Sequence, residues 1–394
     1  MITRSKLDEA TMHIHFDREE FSRRQQNVCR KMQQAGLDGL LIFRQESMYY
    51  LTGYDTEGFV LFQAMYMSCD GRIALLTRSA DRLQARITST LEDVRIWVDR
   101  EGANPAQDLK DLLAEYGCAG KHIGVEYEAY GLTGQRAMMV NDALDGFCHL
   151  SDASDLVRLV RLVKSPAELN YVRKAGKIVD AAWNVANQKS VPGAFLGDVY
   201  GEMMHVMMSM DGDPSASRWP MGAGTNSMLV RYHTGKETIG ANDQVQHEFA
   251  GSFRHYHAAA MSVIITGDVD PRQQAMFHAC REALERCKDA LRPGATVGEI
   301  YDAHKASLTA AGYGHACLNA CGYTLGITYP PSWMDWPMLW TGNPDVIEEG
   351  MVFFMHMILL DDTTNLTMSL GETAIVTSGA CEPVCHAPQE LIVN

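Results

Sequence analysis

The sequence contains the stretch Pro192-Gly193-Ala194-Phe195-Leu196-Gly197-Asp198-Val199-Tyr200, and a second copy of its pattern follows as Pro293-Gly294-Ala295-Thr296-Val297-Gly298-Glu299-Ile300-Tyr301, offset by 101 residues. Each copy lies between two helix-like runs, and the leading runs are about 167–189 and 271–291. A period of about 100 residues is too long for a solenoid repeat. The pattern therefore predicts one domain, about 161–394, built from two related halves with a ligand-binding cleft between them.

Composition limits the classes of partner. The chain has 394 residues, 46% of them apolar, and a formal net charge of −15. This length and apolar content predict two or three domains with full cores. The negative charge argues against nucleic acid or an anionic membrane as a partner and favours a small neutral or cationic ligand.

The ends of the chain and its cysteines bear on the compartment. Residues 1–9 lack a hydrophobic signal core, and no apolar run is long enough to cross a bilayer, so a cytoplasmic location is expected. Ten cysteines in a chain of this size lack the density of a disulfide framework. We expect them to be mostly buried free thiols and not zinc ligands.

The region 1–160 predicts a compact α/β domain. Asp17 and Gly36 mark the start and the end of a helix of about 18–35. Further patterns predict a helix at about 105–116 and strands at 39–43, 59–67, 73–77 and 123–127. The stretch Lys164-Ser165-Pro166-Ala167-Glu168 then opens a long helix with Ser165 as its N-cap, which places the second domain at 161–394.

These features together resemble the pita-bread enzymes, the family of creatinase, prolidase, aminopeptidase P and methionine aminopeptidase. Four further phrases carry the resemblance in order along the chain: Tyr50-Leu51-Thr52-Gly53-Tyr54, Val230-Arg231-Tyr232-His233, Gly322-Tyr323-Thr324-Leu325-Gly326 and Glu349-Gly350-Met351-Val352-Phe353. The resemblance implies an α/β (α+β) fold in which a creatinase-type N-terminal domain precedes a pita-bread domain with an internal pseudo-twofold repeat. It also implies a homodimer.

The metal positions of this family are altered in the sequence. Its peptidases hold two metal ions with two Asp, one His and two Glu. The matching positions in this chain are, in order, Glu248, Ala259, Tyr323, His356 and Gly371, with Glu372 next to the last. One carboxylate and one imidazole cannot hold a metal pair. The resemblance is therefore to the metal-free branch of the family, and we expect no metal and no cofactor.

Alternation in the segment 244–249 indicates a strand with Gln244, Gln246 and Glu248 on one face. Gly251-Ser252 predicts the turn of a hairpin that brings His257 and Ala259 back beside Glu248. A polar strand face opposite small side chains leaves room for a ligand. Glu248 is thus a predicted catalytic residue, although a lone carboxylate on a strand could also be merely exposed.

Two histidines complete the predicted catalytic set. His233 matches the histidine that shuttles protons in creatinase, and its titration near neutral pH suits that task. His356 interrupts the apolar run Met351–Leu360. A buried histidine must be hydrogen-bonded or it destabilises the fold, so His356 is either a satisfied core residue or a group facing the cleft.

The predicted substrate-binding residues are mostly aromatic. Tyr323 and His257 are candidates from their matched positions, and Tyr54 from its phrase in the first domain. The stretch 329–337 packs aromatic residues and prolines together, and its Tyr329, Trp333 and Trp336 could form a wall for a small cation or a rigid packed loop. Phe59 lies where creatinase sends an aromatic residue into the cleft of the neighbouring subunit.

A family that loses its metals needs another electrophile, and a substrate with its own positive charge supplies one. The set of Glu248, His233 and His356 resembles the branch that opens the cyclic amidinium ring of the zwitterionic solute ectoine. We therefore expect a metal-independent hydrolase of ectoine. The open alternatives are a prolidase-type peptidase, a creatinase-like amidinohydrolase, a lyase acting on a sulfonium solute, and a solute-binding protein without activity.

Overall fold

The computed structural model describes residues 12–232 and 235–394. The chain divides into two compact units, the first ending at Arg161 and the second beginning at Leu162. In the described residues, no helix combines the length and the apolar character that a membrane span requires.

The first unit is built on a mixed sheet flanked by helices. Its helices are α1 (Arg18–Gln34), α2 (Gln45–Thr52), α3 (Arg82–Thr88), α4 (Pro105–Glu115), α5 (Gly134–Leu144) and α6 (Ser154–Leu162). Its strands are β1 (Gly39–Ile42), β2 (Ala64–Ser68), β3 (Ile73–Arg78), β4 (Asp93–Trp97), β5 (His122–Val125) and β6 (His149–Asp152), in the order β4-β3-β2-β1-β5-β6. The predicted strand 59–67 begins only at Ala64, because Gly58–Val60 forms a 3-10 turn.

The second unit carries four helices and a larger sheet in its described residues. The helices are α7 (Pro166–Lys189), α8 (Leu196–Ser209), α9 (Pro271–Ala290) and α10 (Val297–Ala310). The strands are β7 (Met221–Ala223), β8 (Asp243–Phe253), β9 (Tyr256–Thr266), β10 (Gly322–Thr324), β11 (Asp335–Met338), β12 (Val352–Asp361), β13 (Leu366–Ile375), β14 (Glu382–Pro383) and β15 (Ile392–Val393). Their order is β11-β10-β12-β13-β9-β8-β7, with β14 beside β13 and β15 beside β9.

The repeated motif folds in the same way in both halves. Helices α8 and α10 begin and end with the same offset of 101 residues as the two copies of the motif. Gly193 and Gly294 take φ angles of 82° and 87°, a left-handed conformation that glycine adopts without strain. Their amides donate to the carbonyl oxygens of Ile239 and Ile347, each at 2.9 Å. The predicted duplication is thus present in the backbone hydrogen bonds.

Helix α7 starts at the predicted cap and packs on the β8–β9 hairpin. The Ser165 side chain accepts from the amide of Glu168, whose side chain accepts in return from the amide of Ser165. The Trp183 ring stacks on Phe249 at 6.0 Å with an interplanar angle of 11°. A Cβ atom at Gly251 would lie 2.8 Å from the Ala175 carbonyl oxygen, so this glycine allows helix and strand to approach.

The turn of this hairpin is not at Gly251-Ser252, as the sequence had suggested. The strands continue to the pair of Phe253 and Tyr256, and the turn is Arg254-His255. Both turn residues have positive φ angles, 52° and 65°, which is the geometry of a two-residue type I′ turn. The prediction was wrong because Gly251 serves the contact with α7 and not the turn.

Strand β12 separates the helix-facing core from the opposite face of the sheet. Its alternate residues Phe353, Met355, Met357 and Leu359 belong to the hydrophobic core that contains α9 and α10. Since side chains alternate along a strand, Phe354 and His356 point to the other face. That face carries the polar groups described next.

Candidate active site

Strand register aligns the central site positions across four strands. Glu248 of β8 is opposite Met261 of β9, Met261 is opposite Gly371 of β13, and Gly371 is opposite His356 of β12. Directly opposite residues project to the same face of a sheet. Tyr323 of β10 joins this face because it pairs with Phe354, two residues from His356.

Glu248 is a buried acid without a hydrogen-bonding partner for its carboxyl group among the described residues. Its exposed fraction is 9%. Burial raises the pKa of Glu248 to about 8, and the positive charge of Arg231 opposes this shift. A carboxyl group in this state at neutral pH readily pairs with a cation, since an opposite charge would restore its ionised form.

Three rings pack beside this acid. The centroids of Tyr323, Phe354 and His356 lie 5.5 to 5.8 Å apart in tilted pairs. Burial lowers the pKa of His356 to about 3, with His304 adding to the shift, so its ring is neutral at pH 7. The buried Nδ1 of His356 has no hydrogen-bonding partner among the described residues. This open nitrogen favours the interpretation in which His356 faces the cleft.

Tyr323 has a fixed partner in Trp333, whose indole Nε1 donates to the Tyr323 hydroxyl oxygen at 2.7 Å. Both side chains are buried. Burial is the main cause that raises the pKa of Tyr323 well above its usual value, and the charge of Glu248 adds to it. The hydroxyl thus keeps its proton across the working range of pH.

Arg231 is a site residue that the sequence analysis did not single out. Its charge acts on the pKa values of Glu248, Tyr323 and His356, which places its guanidinium within electrostatic reach of all three. Arg231 is exposed and lies in the segment between β7 and β8. Its place in the phrase Val230-Arg231-Tyr232-His233 was the available signal.

The residues at the family's metal positions do not fit a metal pair. Within 12–232 and 235–394, no group of three or more His, Cys, Asp or Glu side chains could hold an ion. A Cβ atom at Gly371 would lie 2.7 Å from the Phe354 ring, so this ring fills the space of a side chain there. Glu372 points to the opposite face, where its carboxylate lies 3.2 Å from Lys288 of α9.

His257, a predicted substrate-binding residue, is part of a loop network instead. Its Nε2 accepts from the amide of Ala216 at 3.0 Å, so the proton is on Nδ1, which lies 2.9 Å from the His255 carbonyl oxygen. The Thr328 hydroxyl lies 3.0 Å from the same Nδ1. His257 also pairs with Ser252, about 13 Å along the strand from Glu248. Both ring nitrogens of His257 are therefore hydrogen-bonded within the protein, and we infer a structural role for this residue.

The aromatic stretch 329–337 does not form one wall. Tyr329 is buried, and its ring stacks on His255 at 4.2 Å, at the tip of the β8–β9 hairpin. Trp336 lies on β11, its indole partly exposed and its carbonyl oxygen bound by Thr324. In this stretch, Trp333 reaches the site through its contact with Tyr323. Tyr329 is thus a packing residue, and a role for Trp336 stays a prediction.

The remaining predicted residues lie elsewhere. His233 falls outside the described residues, so its role stays a prediction. Phe59 is a buried residue of the 3-10 turn in the first unit. Tyr54 is fully buried in the first unit, and its hydroxyl donates to Gln63 at 3.2 Å. The Tyr54 side chain is therefore part of the core of that unit and offers no surface to a ligand.

Comparison with known proteins identifies the family. The profile of the metallopeptidase family M24 matches residues 170–378. The chain belongs to the metallopeptidase family M24. A second profile, the creatinase/prolidase N-terminal domain, matches residues 24–163. The predicted membership and the predicted two-domain fold with a pita-bread M24 domain are confirmed.

Relatives of this M24 chain include hydrolases of different kinds. An uncharacterized hydrolase/peptidase of Sinorhizobium fredii is 29% identical over 97% of this chain and 99% of its own length. The ectoine hydrolase of Halomonas elongata is 26% identical, with coverages of 97% and 99%. The crystal structure of dipeptidase PepE from Mycobacterium ulcerans matches with a TM-score of 0.84 at 22% identity, over 96% of this chain and 99% of that one. That structural likeness shows the shared fold.

Proposed function

We propose that this M24 chain is a hydrolase that opens the cyclic amidinium of ectoine to N-acetyl-2,4-diaminobutyrate without a bound metal ion. The observation that carries the proposal is the buried carboxyl group of Glu248, which no described residue hydrogen-bonds and which faces neutral His356 and Tyr323. A cation fits such a site because it would stabilise the ionised carboxylate. The similarity to the Halomonas ectoine hydrolase supports ectoine as that cation.

The proposed chemistry adds one water molecule to the ring. Glu248 either attacks C2 of the amidinium or activates the water that attacks it, and the C=N electron pair moves onto a ring nitrogen. One C2–N bond then breaks, and the departing nitrogen takes a proton, for which His233 is the proposed carrier. In the route through a Glu248 ester, water attacks the same carbon and releases the carboxylate. Either route yields N-acetyl-2,4-diaminobutyrate, whose atoms are those of ectoine plus one water molecule.

Ectoine also carries a carboxylate, which needs a cationic partner. Arg231 is the proposed partner, because its charge reaches the Glu248 neighbourhood while its side chain stays exposed to an incoming solute. A guanidinium can bind a carboxylate through two parallel hydrogen bonds. Glu248 and Arg231 would then hold the two ends of the zwitterion and orient C2.

The pKa of Glu248 predicts how activity depends on pH. Free enzyme with Glu248 protonated lacks the nucleophile or base, so kcat/KM should rise about tenfold per pH unit below 8 and level off above it. In the complex, the amidinium lowers the pKa of Glu248, so the corresponding limb of kcat should lie at lower pH. Pre-steady-state and steady-state rates from pH 6 to 9 measure both limbs. A kcat/KM that does not change over this range would contradict the role of Glu248.

Product analysis tests the proposed function. Purified protein treated with a chelator would be incubated with ectoine, creatine, a dipeptide with C-terminal proline and dimethylsulfoniopropionate, and the products followed by NMR. We expect N-acetyl-2,4-diaminobutyrate from ectoine, no turnover of the other three, and the same rate with and without the chelator. Cleavage of the dipeptide, lost with the chelator and restored by divalent metal, would instead establish the peptidase alternative that family M24 favours.

We also propose that the enzyme works as a homodimer, with the partner's first domain completing the cleft, since closed twofold pairs are the commonest oligomers. Phe59 is only 5% exposed in its own unit, so we do not carry over the expectation that its ring reaches the neighbouring site. Light scattering that finds an active monomer would contradict the proposed dimer.

A further inference from the structure

The contact between Trp333 and Tyr323 fixes the direction of a proton. The indole Nε1 has one hydrogen and no acceptor, so in this 2.7 Å contact it donates and the Tyr323 oxygen accepts. A phenolic O–H prefers the plane of its ring, which leaves one in-plane direction for the proton once Trp333 occupies the other. The hydroxyl proton of Tyr323 therefore points away from Trp333.

The Tyr323 side chain lies on the sheet face that carries the candidate site. Tyr323 projects from the same sheet face as His356 and Glu248, and no described residue other than Trp333 hydrogen-bonds its hydroxyl group. The hydroxyl oxygen of Tyr323 already accepts a hydrogen bond from the Trp333 indole. Tyr323 is thus presented to a ligand as a hydrogen-bond donor.

This inference rests on the proposed reaction. A group that only donates a hydrogen bond interacts differently with the bound amidinium and with the adduct formed at C2. Both ring nitrogens of a bound amidinium carry hydrogens and delocalise their lone pairs, so they offer Tyr323 nothing to bind. After addition to C2, each ring nitrogen has a localised lone pair that can accept. We propose that Trp333 is a positioning residue that makes Tyr323 a hydrogen-bond donor to the ring nitrogen whose lone pair localises during addition to C2, before His233 protonates the nitrogen that leaves. Such an interaction lowers the barrier without tightening substrate binding.

Kinetics of Trp333→Phe test the inference, because this variant keeps an aromatic ring and removes the indole N–H together with part of the ring volume. We expect kcat to fall roughly 10- to 100-fold with KM within about twofold. Tyr323→Phe should lower kcat at least as much, and adding Trp333→Phe to it should cause no further loss. Trp340→Phe, at a partly exposed tryptophan (37%), is the matched control and should keep the wild-type kcat.

An NMR measurement separates this inference from the proposed function. With 15N-labelled tryptophan, the indole signal that disappears in Trp333→Phe should shift in Tyr323→Phe, whatever the substrate of the enzyme. If the indole signal shifts in Tyr323→Phe but the wild-type protein does not turn over ectoine, the proposed reaction is overturned and the contact between Trp333 and Tyr323 is established. An unshifted indole signal, a Trp333→Phe kcat equal to that of Trp340→Phe, or additive losses in the double variant would overturn the positioning role.

Discussion

The Glu248→Gln variant is expected to bind ectoine and to turn it over roughly 10³- to 10⁵-fold more slowly than the wild type. Glutamine keeps the shape of the side chain but has no negative charge and no nucleophilic oxygen. Single-turnover kinetics would measure the loss, and calorimetry would measure the remaining affinity. A variant with wild-type turnover would show that Glu248 is neither nucleophile nor base, and His356 would become the next candidate.

The same substitution should make the protein more stable. The pKa of Glu248 is about 8 in the folded state against 4.5 for a glutamate in the unfolded chain, so between these pH values only the unfolded chain releases the proton. The wild type therefore loses stability as pH rises from 4.5 to 8, and the loss stays constant above 8. Glu248→Gln removes this pH-dependent loss of unfolding free energy, which amounts to about 3 kcal/mol at pH 7. Denaturant unfolding at pH 4.5 and pH 7 measures the difference.

Glu372→Gln is the matched control for both readouts. Glu372 is also a buried carboxylate of this sheet, but it faces α9 and lies 3.2 Å from Lys288. Its loss leaves Lys288 without this partner and should destabilise the protein by about 1–3 kcal/mol while leaving the chemical step unchanged. The two variants should thus move stability in opposite directions. Stabilisation of both would argue that the burial of Glu248 is not the cause.

The Gly176→Ala variant should lose about 2–4 kcal/mol of unfolding free energy. A Cβ atom at Gly176 would lie 1.8 Å from the carbonyl oxygen of Val384, so α7 and the segment at β14 would have to separate. Chemical denaturation would measure the loss, and hydrogen exchange should show weaker protection at Val384, whose amide donates to Thr373 at 2.9 Å.

Gly201→Ala is the corresponding control on another helix. Gly201 lies inside α8, and nothing is within 4 Å of the Cβ position. Alanine has the higher helix propensity, so this variant should be more stable by about 0.5–1 kcal/mol. Equal effects of the two substitutions would mean that the contact between Gly176 and Val384 does not hold the C-terminal segment in place.

The sequence predicted the fold through features that are local or periodic. Gly193 and Gly294 revealed the duplication because each left-handed turn needs a glycine at the same offset, and Ser165 revealed a helix start because its cap lies within four residues. Gly251 indicated a turn at the wrong place for the same reason. A glycine that serves a close contact with a distant helix looks, in sequence, like a glycine that serves a turn.

The candidate site was predictable only where its residues matched family positions or a strand alternation. Glu248, Tyr323 and His356 matched family positions, and Glu248 also lay on an alternating strand. For His257, no sequence pattern showed that one ring nitrogen bonds Ala216, 41 positions away, and the other bonds His255 in the turn. Arg231 was missed because its neighbours in space are far along the chain. Hydrogen bonds and electrostatic reach of this kind depend on tertiary packing and have no local pattern.

The Phe354 ring beside Gly371 limits the evolutionary routes open to this site. A glutamate at position 371 would meet that ring 2.7 Å from its first side-chain carbon, so the substitution would be disfavoured before it could contribute any ligand. Position 354 would have to become smaller first, and that change alone offers no gain and removes a buried aromatic side chain. The order of mutations therefore matters. A carboxylate at position 371 therefore requires two coordinated changes in this pair of strands.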